Sequence, residues 1–289
     1  MTDKNIVQYH PRRFHTFQYV YPVVSRRSGG LSIGVNLSPT AQCNFSCVYC
    51  QVLAENHEIS EPKNNVVTSV DPNLVELELR ELVGMVNDGS LFRDTWLSRT
   101  PPEKRILRDI AFSGDGEPTL SLQFSETVRR VAAVRRELCA ESTKIVLITN
   151  ASTFHVESVR NTLATLLDDN GEIWAKLDAG TPNYFRTISR SKVPYEKILT
   201  NLTEFSKTNP IVIQSCFALL YDKEPDDEEI RQYTKRLKLM DQIKKVQIYT
   251  VARRTPESWV LPLSDEQLDK ISETVRKLTG LQVDSFYSA

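Results

Sequence analysis

Residues 43–50 read Cys-Asn-Phe-Ser-Cys-Val-Tyr-Cys, so three of the chain's five cysteines, Cys43, Cys47 and Cys50, crowd into one short stretch. Thiolates held that close repel one another unless positive charge lies between them, and zinc or an iron-sulfur cluster would supply it. A disulfide is the third option, but it consumes two thiols and leaves one idle. Structural zinc takes four tetrahedral ligands, and His57 downstream would complete a set of three cysteines and one histidine. A four-iron four-sulfur cluster on three cysteines keeps one iron open for a substrate or cofactor. Taken alone, the stretch leaves zinc and cluster both standing.

Any such centre needs a scaffold, and 289 residues with 40% hydrophobic content suffice for one large α/β domain or two ordinary ones. A net charge of -1 leaves no global nucleic-acid footprint, so contact with RNA requires a local patch. No apolar run approaches the ~18 residues of a membrane span, and the N-terminus shows no apolar secretory core. A cytoplasmic, thiol-reducing setting without membrane contact is therefore expected, and the odd cysteine count agrees with it.

The scaffold reads as an alternation of strands and helices. Residues 31–37 alternate apolar with small or polar side chains between Gly30 and Pro39, which predicts a first strand with the cysteines in the loop after it. Further strands are predicted at 106–112, 144–150, 173–178, 210–219 and 245–251, with a short extra one at 281–287. Helical periodicity falls at 74–86, 124–138, 156–167 and 195–205, after Asp226, and from the capping-box sequence Ser264-Asp-Glu-Gln267 to about Leu278. Repeated about six times, this pattern implies a parallel sheet covered by helices; either an open barrel or a flat two-sided sheet would satisfy it. Polar residues end the strands: residues 113–117 (Ser-Gly-Asp-Gly-Glu) after the second, Thr149 and Asn150 on the third, Lys176 and Asp178 on the fourth. An unpartnered buried charge costs several kcal/mol, so such ends are expected to face a polar pocket. Lys176 and Asp178 lie two apart, on one strand face, and are open to pairing with each other.

The cysteine spacing, with Tyr49 before the last cysteine, resembles the signature of the radical S-adenosylmethionine (SAM) superfamily. The resemblance implies a partial (β/α)6 barrel with a short N-terminal extension, divided as 1–30 and a radical SAM core of 31–289 that includes the C-terminal helix. It implies a four-iron four-sulfur (4Fe-4S) cluster on Cys43, Cys47 and Cys50, with SAM on the open iron and an electron from a flavodoxin or ferredoxin cleaving SAM to a 5′-deoxyadenosyl radical. Gly114, Gly116 and Glu117 would then hold the SAM amino group, and Tyr49, Asn150 and Asp178 would complete the cofactor contacts. Residues 32–36, 112–119, 176–180 and 247–251 resemble the wyosine-synthase-like branch, which implies transfer RNA as partner and substrate. The cysteines that hold a second cluster in that branch are absent, since no cysteine precedes Cys43.

The catalytic candidates are Lys176, read as a substrate contact or an internal ion pair, and Cys216. Cys216 shares a strand face with Gln214 and is either a hydrogen-atom donor or plain core. Arg26, Arg27, Arg253 and Arg254 are expected as a positive rim at the barrel mouth. Radical chemistry on a small metabolite or peptide, and a zinc-stabilised binding module, are the alternative functions.

Overall fold

The structure, a computed structural model, describes residues 11–55, 66–93 and 95–288. His57 lies outside the described residues. Eight strands form one curled sheet in the order β1 (Val20–Ser25), β2 (Gly30–Val35), β3 (Leu107–Phe112), β4 (Lys144–Thr149), β5 (Gly171–Lys176), β6 (Ile211–Cys216), β8 (Ile243–Tyr249) and β10 (Val283–Phe286). β1 pairs antiparallel with β2, and every other neighbouring pair is parallel. The six strands β2, β3, β4, β5, β6 and β8 each lead into a helical crossover, which makes a partial (β/α)6 barrel.

The two faces of this sheet differ chemically. Alternate residues Ile33, Ile110, Phe112, Leu147, Ile173, Ile213, Val246 and Ile248 are buried and join the helices in one apolar cluster. Each such side chain contributes about 1.5–3 kcal/mol on burial. The residues between them face the concave side, where the parallel register lines up Ser32 with Asp109, Lys176 with Gln214, and Gln214 with Gln247. Ala111, Val146, Trp174 and Val212 form an apolar patch there, with Ile148 packed against it. The concave face is therefore a polar hollow backed by a dry shell.

The helices follow their local signals closely. Asp71 caps Pro72–Asn87 by accepting the Asn73 N–H at 2.9 Å. Phe124–Leu138 falls on its predicted bounds, and Asp265–Thr279 begins with the predicted capping box and stops at Gly280. The strand predicted over 210–219 is broken after Cys216: β7 (Ala218–Leu220) turns away and pairs with β9 (Val260–Pro262) in a second small sheet. Sequence periodicity missed β1, the short helix Gln51–Glu55 in a connection read as irregular, and the helix Pro182–Ser189. β1 contains Pro22, which demotes a strand reading, and an edge strand tolerates it.

Candidate active site

The cysteine loop follows β2 at the C-terminal end of the parallel strands, and the helix Pro182–Ser189 holds it in place. The last carbonyls of that helix accept from the loop: Ser46 N–H to Ser189 O at 3.1 Å and Val48 N–H to Ile188 O at 2.9 Å. Phe45 meets Phe185 edge to face at 5.8 Å, and Ser191 Oγ donates to Asn44 O at 3.2 Å. Helix C-termini carry unsatisfied carbonyls, so a loop rich in free N–H groups is a natural partner. This frame was not legible in the sequence, although Thr181-Pro182 is a proper helix start, with Thr181 Oγ1 accepting the Tyr184 N–H.

The loop after β3 packs directly on the cysteine loop. A Cβ on Gly116 would collide with the Gln42 carbonyl, one residue before Cys43. Gly114 has φ 145°, a region that side chains avoid, and lies against Asn36. Asn36 Nδ2 donates to Asp115 Oδ2 at 2.7 Å, and Arg12 Nη1 pairs with Asp115 Oδ1 at 2.8 Å. Arg12 had no motif to advertise it, and Asn36 stood only within the resembling segment 32–36 with no role assigned.

Glu117 is nearly inaccessible. Its Oε1 accepts Thr119 N–H (3.2 Å), Thr119 Oγ1 (2.7 Å) and Thr149 Oγ1 (2.7 Å), and its Oε2 accepts Asn150 N–H at 2.7 Å. Burial lifts its pKa, and the donors from Asn150, Thr119 and Thr149 pull it part of the way back. The carboxylate thus clamps the β3 loop to the end of β4. Asn150 passes the constraint on, since its Nδ2 donates to Asn44 Oδ1 at 2.8 Å inside the cysteine loop.

Asp178 closes the other side. Its Oδ2 accepts Tyr49 Oη at 2.5 Å, and its Oδ1 takes the Cys216 N–H at 2.7 Å and Lys176 Nζ at 2.8 Å. Lys176 at the end of β5 and Asp178 two residues beyond it are therefore an ion pair, the pairing left open from their spacing. Lys176 Nζ also donates to Tyr249 Oη at 2.5 Å and sits 5.1 Å from the Tyr49 ring centroid. Burial works against its ammonium, but Asp178, Tyr249 and Cys216 outweigh it and the pKa ends above the ordinary lysine value. Lys176 is a fixed positive charge, not a base. The buried Cys216 thiol, with its pKa pushed up to about 12 chiefly by burial, stays neutral.

Burial is also the largest influence on the three loop thiols. It drives Cys43 up to about 12, with the Phe45 N–H opposing and Glu117 and Cys50 adding; Cys47 rises well above its usual value, with Asp178, Cys50 and Cys43 adding. Cys50 rises as well, against the pull of the Leu53 N–H and Arg12. Each thiol stays protonated in the metal-free chain, and loading a metal would expel those protons. Among the described residues no three His, Cys, Asp or Glu side chains converge as ligands of a single ion. Thiolates of a cluster bind separate irons and need no common point. Ser46 Oγ in this loop and Tyr184 Oη in the adjoining helix are buried without a partner among the described residues, a deficit of about 1–3 kcal/mol each that a bound group would relieve.

No protein-family model matches the chain. A protein of Brachyspira hyodysenteriae named GTPase Obg is 25% identical over 267 residues, covering 91% of this chain and 34% of that protein. This chain thus spans about a third of that relative. A UPF0026 protein of Methanocaldococcus jannaschii is 25% identical over 261 residues, 90% of this chain and 71% of its own length. Among solved structures, a radical SAM methyltransferase from Sphaerobacter thermophilus superposes with a TM-score of 0.61 at 12% identity, over 93% of this chain and 69% of that one. The fold is therefore the partial barrel of radical SAM enzymes. A structure of archaeal TYW1 gives a TM-score of 0.47 at 16% identity over 87% of this chain and 73% of that one, too low to carry an argument.

Proposed function

We propose that this chain is a radical SAM enzyme, with a 4Fe-4S cluster held by Cys43, Cys47 and Cys50. The observation that carries the proposal is placement: the three cysteines leave the first parallel strand at the barrel end where Asn150, itself clamped by Glu117, and Asp178 hold the same loop from two sides. The bound cluster would supply an electron to cleave SAM to a 5′-deoxyadenosyl radical. The residues of the chain do the rest, which is to bind, orient and exclude water.

Glu117 Oε2 accepts a single hydrogen bond and keeps a lone pair for the SAM ammonium, in a loop shaped by Gly114 and Gly116. Tyr49, Asn150 and Asp178 would wall the rest of the cofactor, with Lys176 lending positive charge from below. Cys216, a neutral thiol in the cavity wall, would serve as the hydrogen-atom donor. We assign residues 31–289 as the core and 1–30 as an extension whose β1 completes the sheet edge. Among the described residues no helix is long and apolar enough to cross a membrane.

For the substrate we take the transfer-RNA base implied by the resemblance of residues 112–119 and 247–251, with flavodoxin or ferredoxin as the reductant and the cytoplasm as the setting. The test is anaerobic reconstitution, followed by iron, sulfide and zinc analysis and by assay of reduced protein for 5′-deoxyadenosine. About four irons per chain with SAM cleavage is the expected result. Zinc without iron or sulfide would sink the proposal in favour of a binding module. Co-purifying transfer RNA released by salt supports the RNA substrate; no binding at low salt favours a small metabolite or peptide.

A further inference from the structure

Asn44, the residue after Cys43, is anchored through its side chain and its backbone. The side chain closes a ring of three hydrogen bonds with the loop after β4. Asn150 Nδ2 donates to Asn44 Oδ1 at 2.8 Å, Asn44 Nδ2 donates to Ser152 Oγ at 2.9 Å, and the Ser152 N–H donates to Asn150 Oδ1 at 3.0 Å. A backbone N–H can only donate, so it fixes the oxygen of Asn150 and turns the Asn150 amide nitrogen toward Asn44. Asn44 must then offer its oxygen, which leaves its nitrogen for the Ser152 hydroxyl. Both amides are thereby held in a single orientation.

The far side of the ring is rigid. Ala151, fully buried between Asn150 and Ser152, has φ 59°, a left-handed conformation that a residue with a Cβ seldom adopts. Thr149 Oγ1 accepts its N–H at 3.1 Å, and Asn201 Nδ2 donates to its carbonyl at 2.8 Å. Such backbone persists only where its surroundings over-determine it. On the other side of Cys43, Ser38 Oγ accepts the Gln42 N–H at 3.0 Å and donates to the Gln42 carbonyl at 2.7 Å. Cys43 thus stands between two fixed neighbours.

The backbone contacts give this anchoring a direction. The Asn44 carbonyl and the Phe45 N–H belong to one planar peptide unit. Its oxygen accepts from Ser191 Oγ at 3.2 Å, and its N–H donates to Cys43 Sγ at 3.4 Å. We infer that Asn44 is a positioning residue: with its side chain locked in the ring and its carbonyl tied to Ser191, it aims the Phe45 N–H at the sulfur of Cys43. Hydrogen bonds to ligand sulfurs are one of the means by which a protein sets the potential of an iron-sulfur cluster. Electron density drawn from the sulfur favours the reduced state. The inference rests on the radical SAM reading only for what Cys43 holds.

The test has two arms. Amide hydrogen exchange across residues 44–46 is followed by mass spectrometry on the metal-free chain, and the midpoint potential of reconstituted protein is followed by electron paramagnetic resonance. Asn44→Ala opens the ring, and Ser191→Ala frees the carbonyl. In each, exchange should quicken roughly tenfold, the equivalent of one hydrogen bond, and the potential should move to a more negative value. Asn44→Asp keeps both side-chain contacts, because its second oxygen accepts from the Ser152 hydroxyl, and should exchange as the parent does. Parent-like exchange in both alanine variants would overturn the inference, as would equally fast exchange in Asn44→Asp. Faster exchange with an unaltered potential would also overturn it, since the peptide would then be held without acting on the sulfur. If the parent takes up no cluster, the radical SAM reading falls and the exchange arm alone decides whether Asn44 aims the peptide.

Discussion

At the scale of single residues, Glu117 shows how much a carboxylate can do before any ligand arrives. Its four donors include two backbone N–H groups, Thr119 and Asn150, on different oxygens. In Glu117→Gln the amide must turn its NH2 toward one of them, and a buried donor left without an acceptor costs about 1–3 kcal/mol. Chemical denaturation should register a loss of about 2 kcal/mol, besides any weakening of SAM binding; unaltered stability would mean the clamp is not closed in solution. Cys47→Ala removes no core and should unfold as the parent does, while iron incorporation and SAM cleavage are lost. Retained iron at full stoichiometry would remove Cys47 from the ligand set.

At the scale of elements, the helix Pro182–Ser189 links sequence to site. Its buried Phe185 and Ile188 pack under the cysteine loop, and its C-terminal carbonyls take the loop's N–H groups. Phe185→Ala should cost about 3–5 kcal/mol and slacken the loop, so that reconstituted iron per chain falls. Ile271→Ala, a core truncation in the helix Asp265–Thr279, serves as the control. It should lower stability without changing iron content; an equal loss of iron in both variants would show that the helix has no special hold on the loop.

At the scale of the molecule, one apolar cluster runs from Phe14 to Val283 through every crossover. Glu78, in the helix Pro72–Asn87, accepts the N–H groups of Gln18, Tyr19 and Val20 and so fastens the approach to β1. Phe14, Phe17, Tyr19, Val20, Tyr21, Val23 and Val24 are all buried. At about 1.5–3 kcal/mol each they match the whole stability of an ordinary domain, about 5–15 kcal/mol. A chain beginning at Gly30 should therefore fail to unfold cooperatively in calorimetry, and a sharp transition near the parent's temperature would show β1 to be an accessory.

What the sequence determined by itself was what depends on near neighbours. Cysteine spacing in residues 43–50, the period of the six parallel strands and of most helices, and caps such as Asp71 and Ser264 are properties of a few consecutive residues, and they sufficed for the alternation of strands and helices, while the choice of a barrel over a flat sheet came from the family resemblance. Tertiary structure alone decided the pairings across long separations. Examples are Arg12 with Asp115, Asn150 with Asn44, and Phe45 on Phe185. No local pattern encodes these contacts, because the partners lie far apart in the chain and neither segment carries a signal of the other. They exist because curling the sheet brings its first hairpin to the end of its last strands and sets the loops of β2, β3, β4 and β5 side by side.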